Sequence, residues 1–315
     1  MMDIFIEHLK PGQKVNGIFA LRSKKLLPLR SGAGHYLAVV LGDKTGQVDG
    51  RVWEAVYEIH QGCRTGDIVR VQGQVEEYNG KVQINISSMP VCRDTDIDPA
   101  RFIPMSKLDP DSARDKLYAV TDSLRNRQLR DLLSLIFADV DFIKALLISP
   151  AAKRNHQATI GGLLEHSLGV AAAAAQISPL YPQIDRDLLV AGALLHDIGK
   201  VEEYRTGADI DFTDEGRLLG HIVLGVQLLD KYISRLPDFP EEMRIKLLHM
   251  IVSHHGQYEW QSPKRPKFLE AAVLHHLDMI DAGVDMFSSA ADSRENQDDR
   301  WTGWIKGLDR HVFCK

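Results

Sequence analysis

Cysteine is scarce in this chain. The three present, Cys63, Cys92 and Cys314, are odd in number and widely spaced. Such a set argues against a disulfide framework and a thiolate-built metal site, and it suits a reducing compartment. A long apolar run is also missing. The start, Met1-Met2-Asp3-Ile4-Phe5-Ile6-Glu7-His8, has no basic region leading into an apolar stretch, and the alanines at 171–175 sit among polar and small residues. Neither a signal peptide nor a membrane span is expected, and the expected location is cytoplasmic. Surplus positive charge is absent too. The formal net charge of −5 rules out a uniformly basic coat, though not a local basic patch. Hydrophobic residues, at 44%, suffice for ordinary cores, and 315 residues exceed what one core usually organises, so two domains are expected.

The first part of the chain is rich in strand signals. Val69, Val71 and Val75 alternate with polar residues, Asn79-Gly80 follows, and Val82, Ile84 and Ile86 alternate again. Asn-Gly between two alternating runs marks a hairpin, because both turn residues tolerate positive φ. A second hairpin is expected at Asp43-Lys44-Thr45-Gly46, joining strands at 36–41 and 47–53, with a first strand over 14–22. A short helix near 54–59 falls between the third and fourth strands. That order resembles the OB-fold nucleic-acid-binding domains, including the anticodon-binding type. Such barrels bind single strands on one sheet face and with the loops between strands one and two and between strands four and five. The resemblance places Lys24, Lys25 and Arg30 in the first loop and Tyr78, Asn79 and Lys81 near the second. Basic groups there would neutralise phosphates, while Phe19, Tyr36, Trp53 or Tyr78 either stack bases or fill the barrel.

Pro90, Pro99 and Pro104 stand in a stretch of little periodicity that reads as a connection. The expected organisation is a barrel at 1–95, a linker at 96–110 and a helical domain at 111–315. Apolar residues at three- and four-residue spacings predict helices over 129–137, 141–147, 162–177, 187–199, 215–235, 241–254 and 267–290. Thr213-Asp214 and Pro240-Glu241-Glu242 look like helix starts, and Gly199 like a helix end.

Metal-binding residue types run through this helical part. His166 precedes the doublet His196-Asp197, and His221, His254-His255 and Asp278 follow it. Imidazole and carboxylate suit divalent Mn, Fe, Co or Zn. Adjacent residues on a helix splay by about 100°, so ions flanking His196-Asp197 are a reasonable geometry. Two ions about 3.5–4 Å apart can activate water and offset charge growing on phosphorus oxygens.

These residues resemble the HD-domain metal-dependent phosphohydrolases. The resemblance implies one ion held by His166, His196, Asp197 and Asp278, and a second held by His221, His254 and His255 with Asp197 bridging. Asp281 is an alternative to Asp278, which is preferred as the first aspartate of Asp278-Met279-Ile280-Asp281-Ala282. It further gives Lys200 a role on substrate phosphate. His156, just ahead of Gly161-Gly162-Leu163-Leu164-Glu165-His166, reads either as a phosphate or leaving-group contact or as a loop residue before a helix. Lys264 and Arg265, with Lys267, would guide an anionic strand. His249, His275 and His276 read as structural. Barrel plus HD domain, with Leu194-Leu195-His196-Asp197-Ile198-Gly199-Lys200 and His254-His255-Gly256-Gln257-Tyr258-Glu259-Trp260, is similar to the YhaM-type 3′→5′ exoribonucleases of bacteria. That family implies stepwise removal of nucleotides from single-stranded RNA, with single-stranded DNA a further substrate, a preference for Mn²⁺, and homo-oligomers. Other readings stay open: a cyclic-dinucleotide or small-nucleotide phosphohydrolase, and a non-enzymatic nucleic-acid-binding module. Against the first, Gly256-Gln257-Tyr258 replaces the Gly-Tyr-Pro of that group.

Overall fold

The computed structural model describes residues 4–29, 32, 34–93, 97–153, 158–292 and 299–314. They form two compact units, one of residues 1–105 with 206–210, the other of 106–205 with 211–315.

The first unit is a closed five-stranded barrel in the order β1-β2-β3-β5-β4. Its strands are β1 (Lys14–Pro28), β2 (His35–Asp43), β3 (Gly46–Val52), β4 (Ile68–Tyr78) and β5 (Lys81–Ser88). A short helix, α1 (Val56–Gly62), lies between β3 and β4. Neighbours pair antiparallel except β3 with β5. Alternate residues point inward, so Phe19, Leu21, Leu37, Leu41, Val69, Val71 and Ile84 fill the interior. Phe19 is core and unavailable for stacking on a base. Asn79 and Gly80 both have positive φ, as their hairpin turn requires.

One strand differs from expectation. β1 continues through a bulge between Leu21 and Ser23 and pairs with β2 as far as Pro28 opposite His35. The bulge breaks the alternation, which is why the pattern stopped near residue 22. Lys24 and Lys25 therefore lie on a strand and not in a loop; Arg30 lies outside the described residues.

The second unit is helical. It contains α2 (Pro110–Asp122), α3 (Arg127–Phe137), α4 (Val140–Ile148), α5 (Gly162–Ile177), α6 (Arg186–Leu195) and α7 (Lys200–Glu203). A two-stranded ribbon of β6 (Tyr204–Thr206) and β7 (Ile210–Phe212) follows in the chain, with 206–210 grouped in the first unit, then α8 (Asp214–Ile233), α9 (Glu241–Ser253) and α10 (Leu269–Asp292). Side-chain caps start several helices: Asp139 accepts from Asp141 and Phe142 N–H, Asp185 from Leu188 N–H, and Thr213 from Gly216 N–H.

Helix α6 is buried from Asp187 to Leu195, the signature of a central helix. A Cβ on Gly192 would fall 2.1 Å from Met250 Cε, so α9 crosses α6 at close range there. That packing brings the C-terminal ends of both helices into one region. Helix α8 is interrupted at Gly220, whose φ of 72° takes it out of the helix immediately before His221.

Candidate metal centre

His196 and His254 occupy equivalent positions, each the C-cap of a helix, α6 and α9. The last carbonyls of a helix lack intrahelical partners. In both cases one of them takes the imidazole: His196 Nδ1 lies 2.9 Å from Ala193 O, and His254 Nδ1 lies 2.7 Å from Ile251 O. A carbonyl only accepts, so each Nδ1 carries the proton and each Nε2 presents a lone pair.

The other three histidines are fixed the same way. His166 Nδ1 is 2.7 Å from Asp281 Oδ2, His221 Nδ1 is 3.2 Å from Glu203 Oε1, and His255 Nδ1 is 2.8 Å from Trp260 O. Five imidazoles are thus held through Nδ1, leaving Nε2 as the ligand atom, the arrangement in which outer partners orient metal ligands.

Four of the Nε2 atoms converge on Asp197. Its Oδ1 is 3.5 Å from His221 Nε2 and 3.4 Å from His254 Nε2, while Oδ2 is 3.7 Å from His166 Nε2 and 3.5 Å from His196 Nε2. Asp278 Oδ1 closes the second side, 3.3 Å from His166 Nε2 and 3.9 Å from His196 Nε2. Asp281 reaches His166 from the opposite ring nitrogen. Among the described residues, two groups have ligand atoms close enough for an ion: His166, His196 and Asp197, and His221, His254 and His255.

Electrostatics favour a cation there. Asp197 Oδ1, His221 Nε2 and His254 Nε2 are buried without hydrogen-bond partners, which is costly unless something electropositive meets them. Burial holds the His196 imidazolium down to about 4, and burial with His254 and His221 nearby does the same for His255, so both rings are neutral donors near pH 7. Burial opposes ionisation of Asp197, but Lys200, His196 and His254 outweigh it and hold the carboxyl well below its usual range. At His166 burial is likewise outweighed, here by Asp278 and Asp281, which raise the imidazole to about 9. The residues present fit divalent ions.

Lys200 Nζ stands 2.6 Å from Asp197 Oδ2. It lines a cavity of about 170 Å³ together with Ala151, His166, Asp197, His254, His255, Asp278 and Ala282. Lys264 and Arg265 are exposed and are not among those lining residues. His156 lies outside the described residues. In the barrel, Lys25 is exposed, whereas Lys24 Nζ donates to the carbonyls of His60 and Cys63 and so caps the end of α1. Tyr36 and Trp53 stack with centroids 4.9 Å apart, and Trp53 remains half exposed. His249 accepts from Lys267 N–H, and His275 Nδ1 donates to His254 O, structural roles for both.

Sequence reasoning missed Glu203. It is buried, receives both the main-chain N–H and the Nδ1–H of His221, and depends on the Gly220 break to do so. The available signal was a glutamate three residues beyond Lys200 on the same short helix.

The barrel and the ligand cluster together define an HD-domain protein with an OB-fold. The HD domain family matches residues 163–283, and the OB-fold nucleic acid binding domain family matches 19–91. The chain is 32% identical over 311 residues to the 3′-5′ exoribonuclease YhaM of Shouchella clausii (strain KSM-K16), spanning 98% of this chain and 96% of that one. It belongs to the YhaM exoribonuclease family. Among solved structures, the second OB-fold domain of replication protein A from Methanococcus maripaludis is 20% identical, covering 30% of this chain and 98% of that chain at a TM-score of 0.25. A replication protein A heterotrimer bound to ssDNA is also 20% identical, covering 29% of this chain and 66% of that chain at a TM-score of 0.22.

Proposed function

We propose that this protein is a metal-dependent 3′→5′ exonuclease hydrolysing phosphodiester bonds of single-stranded RNA, with single-stranded DNA a second substrate, in the cytoplasm. The observation that carries the reading is the convergence of the His166, His196, His221 and His254 Nε2 atoms around Asp197, each ring held through its Nδ1. We assign His166, His196, Asp197 and Asp278 to one ion and His221, His254 and His255 to another, with Asp197 shared. Mn²⁺ is the favoured ion, with Fe, Co and Zn suited to the same donors. When bound, such a pair supplies Lewis acidity to phosphoryl oxygens and to attacking water.

The protein's own groups prepare that step. Asp197, ionised by its neighbours, contributes the negative charge that retains cations. Lys200, held by Asp197, keeps an ammonium in the cavity where charge grows on the phosphate. The 1–95 barrel retains the upstream strand, using the open face of Trp53 for a base and Lys25 for a phosphate. Lys264 and Arg265, on the 111–315 domain, attract the anionic chain. Lys24 is spent on α1 and contributes little.

The test is digestion of 5′-labelled single-stranded RNA with Mn²⁺ by the intact protein and by Asp197→Asn. A ladder shortening from the 3′ end, absent in the variant, is expected. RNA that is shifted on a gel but never cut would make this a binding module. RNA neither cut nor shifted would direct attention to cyclic dinucleotides and mononucleotides.

A further inference from the structure

Three cations surround one carboxylate on the β6–β7 ribbon and its neighbours. Asp211 Oδ1 accepts from Lys153 Nζ at 2.6 Å and from Arg217 Nη2 at 2.9 Å. Arg205 Nη2 approaches Oδ2 at 3.4 Å, and the Phe212 N–H also donates to Oδ1. Among the described residues, these three cations have Asp211 as their ion-pair partner, so the cluster keeps a surplus of two positive charges. The Phe212 ring lies beneath Lys153 and Arg217, 5.2 and 6.0 Å from centroid to charge, and steadies both. Arg205 and Arg217 remain 70% and 55% exposed, so their outer N–H groups face water.

A structural role does not need three cations. Exposed ion pairs add little stability, and one partner would satisfy the carboxylate. Held cations in excess of their anion are instead what recognises a phosphate, which arginine meets with two parallel donors. The cluster also lies close along the chain to residues of the metal cavity. Ala151, two residues before Lys153, lines that cavity. Tyr204, beside Arg205, has its phenol pushed up by burial and then by the Glu203 carboxylate. Glu203 in turn holds the ligand His221.

We propose that Lys153, Arg205 and Arg217 form a binding site for the phosphodiester backbone of a single-stranded polynucleotide, on a nucleotide not being hydrolysed. The choice of ligand rests on the nuclease reading. Asp211 is its gate in charge, holding the cations in place and moderating their field.

The test is anisotropy of a 5′-fluorescein oligouridylate in EDTA across a salt series, with full-length protein, Arg205→Ala/Arg217→Ala and Asp211→Asn. The double alanine variant should bind about tenfold more weakly, and its salt slope should be shallower by about 1.4, the value for two lost single-strand phosphate contacts. Asp211→Asn should bind more tightly than wild type, a change that damaged folding would not produce. Equal affinities and slopes for all three proteins would overturn the site. If the shifts occur while wild type with Mn²⁺ leaves RNA intact, the site stands and the nuclease reading falls.

Discussion

His166 Nε2 lies 3.1 Å from His196 Nε2, and each ring has its Nδ1 committed to an acceptor. Two lone pairs that close repel unless a cation or proton stands beside them. Asp278 and Asp281 raise His166 to about 9, so a proton takes that place when no metal does. Binding an ion there must displace that proton, which makes loading of this half more favourable as pH rises.

Asp281 is the outer anchor of that ring. Asp281→Asn should weaken metal binding about 10–100-fold, the usual effect of removing a second partner from a ligating histidine. Competition with a chromogenic chelator reads this directly. Gly169→Ala should act in the same direction, since its Cβ would fall 2.7 Å from Asp281 Oδ1. Unchanged metal affinity in both variants would mean that His166 needs no anchor.

Glu203 serves the other half. On the proposed two-ion assignment, Glu203→Gln should lower Mn²⁺ bound after equilibrium dialysis from two ions per chain toward one, because His221 loses the charged acceptor that fixes its ring. Retention of two ions would remove Glu203 from the site.

Trp53 is stacked on one face by Tyr36 and stays half exposed, which suits the proposed stacking of a base. Trp53→Ala should weaken oligouridylate binding by about tenfold or more, as stacking on an aromatic side chain contributes roughly 1–3 kcal/mol per base. Anisotropy at fixed salt measures it; an unaltered affinity would move the strand elsewhere on the barrel.

Asp139 provides a pH test independent of the metal centre. The Phe142 N–H first, then the Tyr232 hydroxyl, hold its carboxyl below the usual range. A depressed folded-state pKa gives stability that is present above the unfolded value near 4 and lost as pH falls through the folded one. Thermal melts from pH 6 to pH 3 should therefore decline less steeply for Asp139→Asn than for wild type. Parallel declines would assign acid sensitivity to other carboxylates.

The barrel's hairpins and the helical periods were plain in the sequence because alternation and Asn79-Gly80 are local signals. The seven histidines and aspartates of the cluster were equally plain as residue types in an ordered series. What was hidden is whatever depends on the main chain. The carbonyls of Ala193, Ile251 and Trp260 fix three tautomers, yet a carbonyl has no letter in a sequence. The Gly220 break sits inside a continuous helical pattern. The β6 and β7 strands, three residues each, are too short to display a period. Lys24 reads as a basic surface residue until its two carbonyl partners are seen.

Gly199 follows the His196-Asp197 doublet, and a Cβ there would lie 2.0 Å from the carbonyl oxygen of His221 and 2.4 Å from the amide of Gly225. The doublet's turn and α8 therefore touch backbone to backbone, with no side chain to act as a spacer. Swapping a histidine for a carboxylate changes the donor atom but leaves this contact untouched. The centre is thereby a socket of fixed bore with replaceable teeth, and re-engineering it for another ion is a matter of choosing donors around a frame that Gly199 keeps constant.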